Sequence, residues 1–189
     1  MTIKPKSKSE ATKARILEAA ATKFSQKGYD NTSTREIGEL AEANIGLLNR
    51  YFGSKEELFR QAILSQLTLL PVLEGDPAGL AGRLGEISAQ KSKQSDTGVD
   101  IMMAILRSIG SEAVGPIIQE ILTTKVTGEV QNHLKGNNVE ARAAMVVAIT
   151  FGVEAVFRTM QVFSEKNIDT EQVTEMVTDI ISRVVEPQD

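Results

Sequence analysis

Cysteine is absent from this 189-residue chain. That excludes disulfides, thiolate nucleophiles and cysteine-based metal sites. Histidine occurs once, as His133, near the end of an amphipathic segment, where a surface or capping role is the ordinary one. With no cluster of His and carboxylates, no metal and no cofactor is expected. No glycine-rich phosphate loop follows a strand, and no nucleophile is paired with a base, so the chain does not read as an enzyme. No run of about 18 apolar residues exists, so no span of a membrane is expected. The first residues, MTIKPKSKS, lack the apolar centre of an export signal, which predicts a cytoplasmic protein. Internal repeats, low-complexity tracts and Pro/Gly/Ser-rich linkers are also missing, and strand signals are almost absent.

What is present is helical. Apolar residues make up 41% of the chain and charged residues 24%, enough to bury a core and too apolar for general disorder. Residues 1–60 hold 11 Lys and Arg against 8 Asp and Glu, a net of +3; residues 61–189 hold 10 against 17, a net of −7. A mildly basic head on an acidic body suggests that the head is the part able to meet a polyanion.

Punctuation divides the chain into about nine helices. A loose basic arm is expected over 1–9. Ile16, Leu17, Ala20 and Phe24 then mark one face of a helix over 10–27, stopped by Gly28. Ser33 and Glu36 form an S-x-x-E capping box, opening a short helix with Ile37, Leu40 and Ala41 on its inner side. A third helix runs from about Asn44 to Phe52 and ends at Gly53. Ser54 and Glu57 repeat the box and open a fourth helix ending near Pro71. Asp76 and Pro77 start another. Longer apolar segments follow at about 97–109, 112–135, 139–164 and 170–186, the last capped by Asp169.

Three short helices followed by a fourth match the helix-turn-helix plan. At about 100° per residue, Ile45, Leu48 and Phe52 share the inner face of the third helix. The opposite face carries Gly46, Leu47, Arg50 and Tyr51, with Asn49 on its shoulder. Arg50 can pair with O6 and N7 of guanine, Asn49 with adenine, and Leu47 with a thymine methyl. Gly46 permits close approach, and Tyr51 offers a hydroxyl to phosphate. The helix starts at Ser33–Arg35 and Ser54–Glu56 present backbone N–H groups suited to phosphate, with Lys55 beside the second.

The strings RILEAAATKFSQKGYDNTSTREIGELA (15–41) and NRYFGSKEELF (49–59) resemble the tetracycline-repressor (TetR) family of bacterial regulators. The resemblance covers 11–63. It implies an all-α homodimer whose helix-turn-helix head, 10–62, binds double-stranded palindromic operator DNA. The body, 63–189, would dimerise and bind a small, partly apolar effector that releases the DNA. By position it implies DNA contacts from Thr34 and Arg35 on the second helix and from Ile45, Gly46, Leu47, Asn49 and Arg50 on the third. Tyr51 and Lys55 fall on phosphate-contacting positions. The chain departs from the pattern at Glu42, where a turn glycine is common, at Gly38, where alanine is common, and at Asn49, where an aromatic is frequent. The body from LLPVLEGDPAGLAGRL onward resembles a type common in actinobacterial members.

For the body, Met145, Ile149, Val153, Val156, Val173, Val177, Ile180, Ile181 and Val184 lie at helical spacing and suit either an intramolecular core or a two-fold helix interface. Met102, Met103, Phe151, Phe157, Met160 and Phe163 are candidates to line an effector cavity, although such stripes more often serve as plain core. Glu154 and Arg158 lie four apart on an apolar helix and read as an internal ion pair, an interface pair or, less readily, a polar anchor for a ligand. A helical carrier or interaction module that does not bind DNA is the alternative to a regulator.

Overall fold

The computed structural model describes residues 7–67, 72–73, 79–89, 99–159 and 169–186. Among them the chain forms nine helices and no strand: α1 (Lys8–Lys27), α2 (Thr34–Leu40), α3 (Ile45–Phe52), α4 (Lys55–Gln66), α5 (Leu80–Ala89), α6 (Ile101–Ser108), α7, α8 and α9 (Thr170–Val185). Helix α7 runs as Gly115–Glu120, a π-helical stretch Ile121–Thr127 and Gly128–Asn132, without a break in helical backbone. Helix α8 is Val139–Val153 continued by a π stretch, Glu154–Thr159. No helix among the described residues is long and apolar enough to cross a membrane. The expected end of α4 near Pro71 and the start at Asp76 and Pro77 lie outside the described residues.

The chain packs as two compact units, one of Met1–Leu67 with Gln94–Ile118, the other of Thr68–Lys93 with Gln119–Asp189. The first unit therefore gathers α1 to α4 together with α6, a segment that the single cut read from sequence assigned to the body.

In the first unit, each short helix begins on a side-chain cap. Ser7 and Glu10 form a capping box that starts α1 at Lys8, two residues before the expected start. Ser33 and Glu36 form the expected box on α2. The Asn44 side chain accepts from Leu47 N–H at the start of α3, and Ser54 from Glu57 N–H at the start of α4. These bonds satisfy amide groups that would otherwise lack a partner. Gly28 and Gly53, at φ 75° and 76°, end α1 and α3 in backbone that only glycine enters freely. The core is built on Ile16, Ala20 and Phe24 of α1, Ile37 of α2, Leu48 and Phe52 of α3, and Leu58, Phe59 and Ile63 of α4. Phe59 packs edge-on against Phe24 and Tyr29, with centroids at 5.0 and 5.5 Å.

Two residues expected to face inward do not. Leu40 is 48% and Ile45 46% exposed. In a helix, side chains lean toward the N-terminus. Ile45 is the first residue of α3, so it projects beyond the helix start and off the core. Ile37 fills the place beside α1, and Leu40 closes α2 at its open end.

The turn between α2 and α3 shows what the departures at 38 and 42 do. Glu42 holds a left-handed backbone, φ 49°. Ala43 N–H donates to Gly38 O at 2.9 Å, and a Cβ at Gly38 would lie 2.7 Å from Ala43 O. The glycine sits where the turn folds back on α2, and a glutamate occupies the strained position.

In the second unit, α9 packs along α5, and α8 touches both. Leu80, Leu84, Ile121, Val126, Val130, Ala143, Val146, Val177 and Ile181 are buried. Gly85 permits the close approach of α5 and α9, since a Cβ there would strike Thr178. The expected stripe of apolar residues is split. Val177 and Ile181 are core, whereas Met145 and Ile180 are exposed; Met176, outside that stripe, is exposed too. On α8 the buried face is Arg142, Ala143, Val146 and Thr150, offset from the stripe read from sequence. Arg142 is 7% exposed and makes no ion pair with a carboxylate among the described residues. Its guanidinium donates to Val184 O (2.7 Å), Val185 O (2.5 Å) and Glu186 O (2.7 Å) at the end of α9, and to Lys135 O (2.6 Å) and Asn137 O (3.1 Å) before α8. Carbonyls at a helix C-terminus lack amide partners and carry partial negative charge, so one buried cation closes α9.

Substitutions at three positions test this account of stability. Glu42→Gly relieves the left-handed strain and stabilises the protein by about 0.5–1 kcal/mol, the strain relief exceeding the added chain entropy. Gly38→Ala destabilises it by about 1–3 kcal/mol because the turn must open. Both are read from urea unfolding. Arg142→Met leaves buried carbonyls without donors and costs about 2–4 kcal/mol, and Arg142→Lys recovers only part of it because an ammonium lacks the planar fork.

Candidate nucleic-acid interface

Helix α3 has two distinct sides. Leu48 and Phe52 are 2% and 5% exposed and fix the helix to the core. Gly46, Asn49 and Arg50 are exposed, and Leu47 and Tyr51 are half-buried. Ile45 joins this open side. Arg50 has no intramolecular hydrogen bond or ion pair among the described residues, so its guanidinium keeps all of its donors. Tyr51 is held at its tip: its hydroxyl lies 3.0 Å from Ser9 Oγ, on the first turn of α1. Lys13, one turn further along α1, sits over the Phe52 ring at 5.5 Å.

On α2, Thr34 is half-buried and Arg35 is exposed. Arg35 pairs with Glu39 at 3.0 Å, with both side chains largely in water. Such a pair contributes little and yields readily to a stronger anion. The start of α2 is tied to the end of α1 by Lys27, which donates to the Glu36 carboxylate. That bond, with those from Ser33, brings the Glu36 pKa down to about 2.

Lys55, at the start of α4, has an intramolecular task that sequence does not show. Its ammonium donates to Tyr29 O at 2.7 Å and lies 4.0 Å from the centre of the Tyr29 ring. Burial lowers its pKa, against the opposing pull of Asp30, Glu56 and Glu36. Tyr29 in turn donates its hydroxyl to Glu56 at 2.5 Å. Burial and then that carboxylate raise the tyrosine pKa, and the same bond lowers that of Glu56. Tyr29, Glu56 and Ser9 were not singled out from sequence. Tyr29 and Glu56 lie 27 residues apart, and Ser9 and Tyr51 lie 42 apart, so no local pattern marks either pair. Thr34, Arg35, Ile45, Gly46, Leu47, Asn49, Arg50, Tyr51 and Lys55 all belong to the first unit.

The candidates for an effector site fall in both units. Met102 is buried and Met103 half-buried on α6, in the first unit, while Phe151 and Glu154 are half-buried in the second. Met160 and Phe163 lie outside the described residues, as do the side chains of Phe157 and Arg158.

Comparison with known proteins bears on this geometry. Residues 16–62 match the family model described as bacterial regulatory proteins, tetR family, and residues 87–185 match that of the tetracyclin repressor-like C-terminal domain. The chain belongs to the TetR family. The HTH-type transcriptional repressor SCO4008 of Streptomyces coelicolor is 36% identical over 74 residues, which are 39% of this chain and 38% of that repressor. The match to this relative thus spans well under half of its length. Among solved structures of TetR regulators, TylP of Streptomyces fradiae superposes with a TM-score of 0.69 at 19% identity, over 95% of this chain and 88% of that one. CifR, solved with a 26-base-pair operator, gives 0.62 at 20% identity, over 97% and 98%. At these identities the likeness establishes the shared TetR fold.

Acid titration reports the charge bonds around α2 and α4. Folding lowers the pKa of Glu36 and Glu56, so each stabilises the fold only when ionised. For Glu36 the contribution is complete above its ordinary 4.5 and disappears as pH falls toward about 2. Stability therefore declines through this window, and Glu36→Gln makes the decline shallower while lowering stability at neutral pH. Urea unfolding at a series of pH values measures both.

Proposed function

We infer that this TetR-family protein is a sequence-specific DNA-binding transcriptional regulator, most simply a repressor released by a small effector. The observation that carries the reading is the open side of α3. A helix fixed by Leu48 and Phe52 presents Arg50 unpaired beside Asn49, Gly46 and Ile45. A guanidinium without an internal partner costs little to redirect and suits the paired acceptors of guanine. The starts of α2 and α4 flank it, with Arg35 and Lys55 as cations for phosphate. Phosphate contacts would hold the register while α3 reads bases.

Residues 10–62 form the reading head, and 63–189 the regulatory part. The protein acts as a homodimer, with two α3 helices in successive major grooves about 34–36 Å apart. Met145, Met176 and Ile180, left exposed on α8 and α9, support a helix-pair interface. The effector is a small, partly apolar molecule. Phe151 and Glu154 are candidates to line its site, and Met102 and Met103 would move with the head. It acts by binding two conformations unequally, and can shift them only by that difference. The protein works in the cytoplasm without a cofactor and catalyses no reaction.

Selection of random duplexes at fixed salt tests the reading. Enrichment of a palindrome is expected; no enrichment by folded protein overturns it in favour of a carrier or interaction module. On the enriched duplex, Arg50→Ala costs about 1–3 kcal/mol and relaxes one base position. Lys55→Ala weakens binding to all sequences and flattens the salt dependence.

A further inference from the structure

Residues 28–33 join α1 to α2 and belong to neither helix, so side-chain bonds decide where this turn lies. Residues 107–111, at and just beyond the end of α6, supply four bonds, two to the end of α1 and two to the turn. Arg107 Nη1 donates to Ser25 O at 2.6 Å and also to Gln26 O, closing the end of α1. Ser108 Oγ, fully buried, accepts from Tyr29 N–H at 2.9 Å. Ser111 Oγ donates to Asp30 Oδ1 at 2.9 Å. The approach is close: a Cβ on Gly28 would lie 2.9 Å from Arg107 O. On its other side the same turn holds DNA-facing parts. Tyr29 O accepts from Lys55, Tyr29 Oη donates to Glu56, and Lys27, at the end of α1, donates to Glu36.

We propose that Arg107, Ser108 and Ser111 are positioning residues for DNA binding, which set the α2 and α4 starts through the Tyr29 turn without touching DNA. The inference rests on the DNA-binding reading above. Its logic is selective. Helix α3 has its own anchors in Leu48, Phe52 and the Asn44 cap, so loss of the bonds from residues 107–111 leaves base reading intact. Lys55 and the α2 start are referred to the turn, so phosphate binding suffers.

The test compares wild type with Arg107→Ala, Ser111→Ala and their combination in the full chain. Binding to the enriched duplex and to an unrelated duplex is measured over a salt series, with thermal unfolding alongside. Arg107 is exposed and Ser111 lies at the edge of the core, so these variants avoid emptying the buried Ser108 site. The combined variant is expected to weaken binding to both duplexes by the same factor, roughly 3- to 30-fold. The salt slope should fall by about 0.9 for each phosphate that the protein no longer neutralises, with the specificity ratio unchanged. Wild-type affinity and slope in a folded variant would overturn the proposal. So would a weakening confined to the enriched duplex, which places the effect on α3, or one no larger than the unfolded fraction. A wild-type protein that enriches no duplex removes the DNA-binding reading itself, a result distinct from variants that bind as wild type does.

Discussion

Helices α2 and α3 have seven and eight residues, and helices of that length do not persist alone in water. Everything the head can do depends on their being held against α1 and α4. The holding contact is the buried cluster of Phe24, Tyr29 and Phe59, with Ile16, Ile37, Leu48 and Phe52 around it. Caps decide where the helices begin, but this burial decides that they exist. A helix pinned on one side by Leu48 and Phe52 must expose the other, and Arg50 is there. The open side of α3 is thus a consequence of the core.

The charges around the interface follow a consistent arrangement. The first turns of α2 and α4 carry Glu36, Glu56 and Glu57, an awkward choice for surfaces expected to meet phosphate. Glu36 and Glu56 are engaged by Lys27 and by the Tyr29 hydroxyl. Carboxylates at helix N-termini stabilise the helices, and binding them internally limits their repulsion of an anion. Lys55 serves a related double purpose. Its bond to Tyr29 O uses one of three donors and leaves the ammonium able to bind a phosphate.

Much of the head was legible in the sequence because its signals are local. The S-x-x-E box at Ser33, the cap at Ser54 and the stops at Gly28 and Gly53 each act within one turn of helix, and all four appear where the sequence places them. Leu40 and Ile45 were misjudged because an angular projection has no ends; both lie at helix termini where no neighbour covers them. The body was harder. Apolar residues are spread around α8 with no single stripe, so spacing could not select Arg142, Ala143, Val146 and Thr150 as its buried face. The π stretches at Ile121–Thr127 and Glu154–Thr159 add a residue to the turn and shift the faces that a 3.6-residue period would align.

The sequence by itself determined the helical class, the order of the helices, their caps and the residue types on the open side of α3. These follow from interactions among residues a few positions apart. Only the tertiary structure decided that Lys55 rests on Tyr29, that Ser9 meets Tyr51, that Arg142 closes α9, and that α6 packs with the head. Each joins residues between 26 and 82 positions apart. Such pairs come together only when the whole core closes, and no short-range pattern in the chain encodes them.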